Sequence, residues 1–237
     1  MTTTDTRGRA AKAFRAAFPL TLPVMAGFAF LGIAYGVLMQ SIGLGAGWTF
    51  LMSFIVFAGA MQYVAIAFFA AYFSPLYALA VTLMVNARHI FYGLSLLEKI
   101  KDAGPFKPYV VFALCDETFS IICTAEAPDG VDRGWFMFFV ALLNHWYWIL
   151  GSLIGVLLGN LLTFNTQGLE FTLTALFVVI FLSQWSKPEN RPSSLIGVGC
   201  SLLCLVLFGP GRFIIPAMAL MLAVFALSGK KLTGGAA

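Results

Sequence analysis

The sequence predicts an all-α fold, a polytopic transmembrane helical bundle of about seven or eight membrane segments. Three observations predict it. Hydrophobic residues make up 60% of the chain and charged residues 10%, against about 25% charged in soluble domains. Mean hydropathy is +0.92. Apolar stretches recur near 20–40, 48–73, 75–97, 109–125, 135–160, 169–185, 193–208 and 211–228, with charge clustered mainly between them. These runs lack the alternation of barrel strands, and a helix satisfies its own backbone in lipid.

Taken in order, residues 1–18 form a basic segment, with Arg7, Arg9, Lys12 and Arg15 against Asp5, which the positive-inside rule places on the cytoplasmic side. The run from Leu20 has no small-residue cleavage site after it and reads as a retained span. A span needs about 20 residues to cross about 30 Å of hydrocarbon. The stretches at 48–73, 75–97 and 135–160 meet that length, whereas 109–125 and 193–208 are short enough for half-helices or re-entrant segments. Residues 19–228 thus read as one transmembrane domain and 229–237 as a tail. Lys230 and Lys231 favour a cytoplasmic C-terminus, yet eight full crossings would put Lys99, Lys101 and Lys107 outside. Either a re-entrant segment in the first half or weak charge control of the middle loops resolves that conflict.

Gly32 with Gly36, and Gly151 with Gly155 and Gly159, make small-residue ladders suited to close helix packing, within the chain or against a partner. Gly47-Trp48 and Gly134-Trp135 each open a long apolar run, and the matching polar interruptions inside them suggest a three-plus-three inverted repeat, an arrangement known in transporters. Cys115, Cys123, Cys200 and Cys204 all lie in apolar segments and read as small buried hydrophobes. Cys200 and Cys204 share a helical face but lack a third ligand for a metal. The net charge of +4 follows from basic residues beside membrane spans and points to no nucleic acid.

Polar groups interrupt the apolar segments at Gln62, at Asn86, Arg88 and His89, at Asp116 and Glu117, and at Asn144 and His145. A cation at bilayer depth costs about 2.5 to 3.5 kcal/mol on insertion scales, so Arg88 is expected to face a partner or a water-filled path. Pairing with Asp116 or Glu117 is the structural reading of Arg88. Single amides such as Gln62 and Asn144 serve equally to hold neighbouring helices together, and the aromatics of Asn-His-Trp-Tyr-Trp at 144–148 suit an interfacial belt. The adjacent carboxylates are harder to account for structurally, because they repel and are desolvated together, a setting that favours proton binding. A substrate site built from these residues would use Gln62, Asn86, Arg88, Tyr92, Asn144 and Trp148 for binding, and Asp116, Glu117, His89 and His145 for proton coupling. Rival readings are a membrane-embedded enzyme and a scaffold or permease subunit. Ser120 has no Gly-x-Ser-x-Gly context, and no His-Glu-x-x-His or Walker motif is present.

Gly-Ala-Met-Gln-Tyr at 59–63, Asn-Ala-Arg-His-Ile-Phe-Tyr-Gly at 86–93, Asp-Glu-Thr-Phe at 116–119, Asn-His-Trp-Tyr-Trp-Ile-Leu-Gly at 144–151 and Gly-Leu-Glu-Phe at 168–171 resemble the successive motifs of the AzlC family, in order from about Pro19 to Phe181. That resemblance implies the large subunit of a bacterial inner-membrane exporter of branched-chain and related neutral amino acids. It further implies a proton-driven cycle, a separate small membrane subunit of the AzlD type and no cofactor. Met61 stands where the family commonly has a small hydroxyl residue, and Glu170 where Asp is common, so pocket size and substrate identity stay open.

Overall fold

A computed structural model describes residues 3–70, 74–86, 88–161 and 191–209, with scattered positions from 171 to 188 and from 213 to 225. The described residues are helical, without strands, and fall into two compact units, 1–172 and 173–237. Glu170 and the basic pair Lys230 and Lys231 lie outside the described residues. Among the described residues three helices are long and apolar enough to cross a membrane, Arg7–Ser41, Arg133–Leu161 and Arg191–Phe208. Ala46–Ile55 and Gly59–Phe69 are shorter apolar helices.

In the first unit α1 (Thr3–Ser41) and α9 (Arg133–Leu161) form the spine. The basic N-terminal segment is therefore part of the first long helix. Contacts run in the same order along both helices: Arg9 pairs with Asp132, Phe14 meets Phe139, Thr21 Oγ1 lies 3.2 Å from Tyr147 Oη, and Gln40 lies against Gly159. The helices are parallel, with an Arg9 end and a Gln40 end. Their seam is backbone on backbone. A Cβ on Gly36 would sit 2.0 Å from the Ser152 carbonyl oxygen, and one on Gly155 would sit 2.2 Å from that of Ile33. Both glycine ladders are thus spent on each other, inside one chain. At the Arg9 end, Asp132 accepts the Trp135 N–H at 3.0 Å, capping α9. That bond, with the Arg9 guanidinium, holds its carboxyl below the usual carboxylate range.

Two interrupted helices pack on this spine. α2 (Ala46–Ile55) starts near Gln40 and runs to mid-spine, where the Ser53 carbonyl meets His145. The chain breaks at 56–58, with buried Phe57 at φ 39°, the only non-glycine positive φ among the described residues. α3 (Gly59–Ala70) then returns toward the Gln40 end: Gly59 faces Trp148, and Tyr63 Oη donates to the Leu31 carbonyl at 2.6 Å. α4 (Pro75–Asn86) and α5 (Arg88–Ser95) lead to the Arg9 end, where α6 (Leu97–Lys101) places Asp102 within 3.0 Å of Arg133. From there α7 (Lys107–Phe112) rises to mid-spine, Phe106 packing on Phe138 and Tyr109 on His145. After a second break at 113–115, α8 (Asp116–Thr124) descends again. Lys99 Nζ caps its end, donating to the Cys123 carbonyl at 2.7 Å.

The result is two helical hairpins that reach mid-spine from opposite ends. This arrangement accounts for the charge conflict, since Lys99 and Lys101 lie at the same end as the basic start of α1. It also separates the two runs that look alike in the sequence. The run opened by Gly47-Trp48 is broken at 56–58, whereas that opened by Gly134-Trp135 is one continuous helix.

In the second unit α10 (Arg191–Phe208) buries Cys200 and Cys204 and exposes Leu195, Leu202, Leu203, Val206 and Leu207. Both cysteines are free thiols, and no metal-binding cluster occurs among the described residues.

Candidate functional site

Asn144 and His145 lie four and three residues before Trp148, the spacings that make neighbours on a helix surface, and through these three α9 touches all four half-helices. Asn144 Nδ2 donates to Thr118 Oγ1 on α8 at 3.1 Å. His145 reaches α7 through Tyr109 Oη at 2.9 Å and α2 through the Ser53 carbonyl at 3.3 Å. Trp148 Nε1 donates to Gln62 Oε1 on α3 at 2.8 Å, and Gln62 Nε2 donates to Ser53 Oγ at 3.3 Å. All of these side chains are buried except Tyr109. Rings close the space around them. Phe57 lies 4.4 Å and Phe54 5.6 Å from the His145 ring by centroid, and Trp148 stacks on Tyr35 at 5.9 Å. Asn144, His145 and Trp148 thus supply core contacts, whereas Trp146 of the same motif is 43% exposed and faces outward, as an interfacial aromatic would.

A second, more open group lies on the other side of the α8 N-terminus. Arg88 on α5 forms an ion pair with Asp116, the first residue of α8, with side-chain exposures of 30% and 24%. Tyr92 Oη donates to the other Asp116 oxygen at 2.7 Å, and its ring stacks on Phe119 at 4.5 Å. His89 Nδ1 lies 3.2 Å from the Asn86 carbonyl. Glu117 is half-buried beside Asp116. The Arg88 pairing is the one that intramembrane charge requires, a cation held by a carboxylate at the level of the interruptions and not in lipid. Among the described residues five buried polar atoms make no hydrogen bond; three of them, Arg88 Nε, Asn86 Oδ1 and Asn144 Oδ1, belong to the candidate site, and the others are Tyr35 Oη and Gln40 Oε1.

The structure therefore divides the ten sequence candidates. Arg88, His89, Tyr92, Asp116, Glu117 and Asn86 gather around α5 and α8, while Gln62, Asn144, His145 and Trp148 form the hydrogen-bonded joint between hairpins. Gln62 and Trp148 satisfy one another. Ser53, Tyr109 and Thr118 belong to the joint and were not singled out from sequence, because their partners depend on two helix breaks that neither proline nor glycine marks: the broken residues are Val-Phe-Ala and Ala-Leu-Cys. Ser120, the nucleophile that an enzyme reading would need, is exposed on α8, and His145 is engaged elsewhere.

Long apolar helices, two interrupted hairpins and a charged pair between α5 and the tip of one hairpin define a helical membrane protein with a polar site among its helices. The family model described as AzlC protein matches residues 23–162, and the chain belongs to the AzlC family. It is 53% identical to the branched-chain amino acid transport protein AzlC of Bacillus subtilis, over 93% of this chain and 87% of that protein. It is 44% identical to an uncharacterized membrane protein of Haemophilus influenzae, over 87% and 85% of the two chains. Identity to the inner membrane protein YgaZ of Escherichia coli is 29%, over 72% of each. No solved structure matches the chain. The matched family region ends at 162, within the first unit.

Proposed function

We propose that this chain is a multi-pass bacterial inner-membrane secondary transporter. Its reading as an exporter of leucine, isoleucine, valine or related neutral amino acids is proton-coupled and includes a small AzlD-type membrane subunit. The Arg88–Asp116 pair at the level of both hairpin tips carries this reading. A free amino acid presents a carboxylate and an ammonium beside an apolar side chain. Arg88 suits the carboxylate, and its unpartnered Nε adds a donor; the unpartnered amide oxygens of Asn86 and Asn144 suit N–H donors. The apolar residues around Tyr92 and Phe119 suit the side chain.

Coupling follows from competition. The substrate ammonium and a proton compete for the Asp116 carboxylate, so binding of one expels the other. Substrate and proton then occupy the site in turn, and a proton moving inward drives the amino acid out, with Glu117, His89 and His145 as further proton-handling groups. In this reading α2–α3 and α7–α8 are re-entrant hairpins of an inverted repeat, and discontinuous helices of that kind frame substrate sites at the membrane midplane. The glycine ladder, already filled by α1, leaves the small subunit to dock on another surface.

The test is counterflow of labelled leucine in proteoliposomes, with and without the small subunit and with an imposed pH gradient but no ATP. Uptake that follows the pH gradient supports the reading. Vesicles that exchange no neutral amino acid in either composition refute it.

A further inference from the structure

His145 occupies a position that the transport reading alone does not explain: among the described residues it is the one side chain hydrogen-bonded to both hairpins, which reach it from opposite ends of the spine. The Ser53 carbonyl can only accept, so Nε2 carries a hydrogen. In the neutral ring Nδ1 is then an acceptor, and the Tyr109 hydroxyl donates to it. When the ring is protonated both nitrogens donate, to the Ser53 carbonyl and to Tyr109 Oη, and both bonds become charge-assisted. The charge also falls beside the C-terminal ends of α2 and α7, which close at Ile55 and Phe112 and carry partial negative charge. In the neutral ring the proton can move to Nδ1, and that tautomer releases Ser53.

The surroundings leave this chemistry to the imidazole. α2 and residues 56–58 contain no ionisable side chain; α7 contributes Tyr109 and, at its first residue, Lys107; α8 contributes Asp116 and Glu117 in its first turn. On α1, Tyr35 lies toward Trp148 and Arg9 pairs with Asp132 at the spine's end. The ring's own contacts are Phe54, Phe57, Phe112 and Tyr109.

We propose that His145 is a proton-operated latch that holds the tips of both hairpins, and that Tyr109 is the positioning residue that orients its ring. The inference deepens the transport reading and rests on it for its role in a cycle, but its test needs no substrate. In a chain with Cys123, Cys200 and Cys204 replaced by Ser, two tip thiols report on the hairpins: a cysteine introduced by Ala58→Cys and the native Cys115. Their modification by a membrane-impermeant maleimide is timed in the intact protein between about pH 5.5 and pH 8. The same measurement is made with His145→Gln, which can donate to Ser53 and accept from Tyr109 but cannot be protonated. Comparing variants at equal pH cancels the thiol's own pH dependence.

At pH 5.5 the parent is expected to react about tenfold more slowly than His145→Gln, the equilibrium factor of one charge-assisted hydrogen bond, with the two rates converging by pH 8. A ratio that does not change with pH overturns the latch. Tyr109→Phe keeps the ring against Phe138 and removes only the hydroxyl, so it remains informative if His145→Gln fails to fold. A shifted pH midpoint supports the positioning role, and an unmoved one overturns it. An intact latch in protein that exchanges no amino acid would refute the substrate reading alone.

Discussion

Gly155→Ala is the sharpest test of the spine. The added Cβ would lie 2.2 Å from the Ile33 carbonyl oxygen and 2.8 Å from both Ile33 C and Cα. Ordinary contact begins near 3.4 Å, so the first distance falls short by 1.2 Å. The opposing atoms are all backbone, and no flexible side chain can yield, so the helices must part along the seam. Overpacking of this kind costs about 1 to 3 kcal/mol, which for a chain of this length lowers the melting temperature by about 2 to 4 °C per kcal/mol. Gly27→Ala on α1 provides the control. Its Cβ would meet nothing within 4 Å, and alanine gains up to about 1 kcal/mol over glycine in a helix. Thermal unfolding of both variants in one detergent, followed by loss of the monodisperse chromatographic peak, is expected to move them in opposite directions. Equal melting temperatures would refute the backbone-on-backbone seam.

Other substitutions probe the polar site and the end of the spine. Arg88→Gln is expected to reduce leucine counterflow to background while the protein remains monodisperse; undiminished counterflow would make Arg88 a structural cation. Asp116→Asn leaves Arg88 for the substrate carboxylate and removes the group for which the ammonium and the proton compete, so exchange should persist while accumulation driven by a pH gradient disappears, measured in the same vesicles with Glu117→Gln beside it. If both variants still accumulate leucine against the gradient, neither carboxylate couples the proton. Asp132 titrates below the usual range when folded, so its stabilisation is complete above its unfolded pKa of about 3.9 and is lost as pH falls through the lower folded value. Asp132→Ala should cost about 1 kcal/mol near pH 7, the value of an N-cap, and the difference from the parent should shrink on acidification below about pH 4; a constant difference would assign the loss to packing.

The sequence made some of this architecture readable and concealed the rest for physical reasons. Long apolar runs disclosed the helices, because lipid exposure leaves Leu150, Leu157 and Leu161 outward on α9 and hydropathy records that directly. Arg88 and Asp116 stood out because charge in an apolar run is costly, and they do pair. The two breaks were hidden. α2 ends on Val56 and left-handed Phe57, held by burial against Phe28 and His145, and no local propensity announces such a tertiary cause. With the breaks invisible, the runs opened by Gly47-Trp48 and Gly134-Trp135 looked equivalent, and Ser53, Tyr109 and Thr118 carried no signal. The glycine ladders were legible as packing faces, but only coordinates could say that each faces the other.

The parallel seam between α1 and α9 has a mechanical meaning. Two rods locked through their backbones between Phe28 and Val37 of α1 and Gly151 and Gly159 of α9 resist sliding and rotating past each other, so they act as the stator of any cycle, and displacement must be borne by elements held only through side chains. Probes on α1 and α9 should therefore keep a fixed separation under every ligand and pH condition, giving an internal ruler against which movement of the hairpin tips can be read.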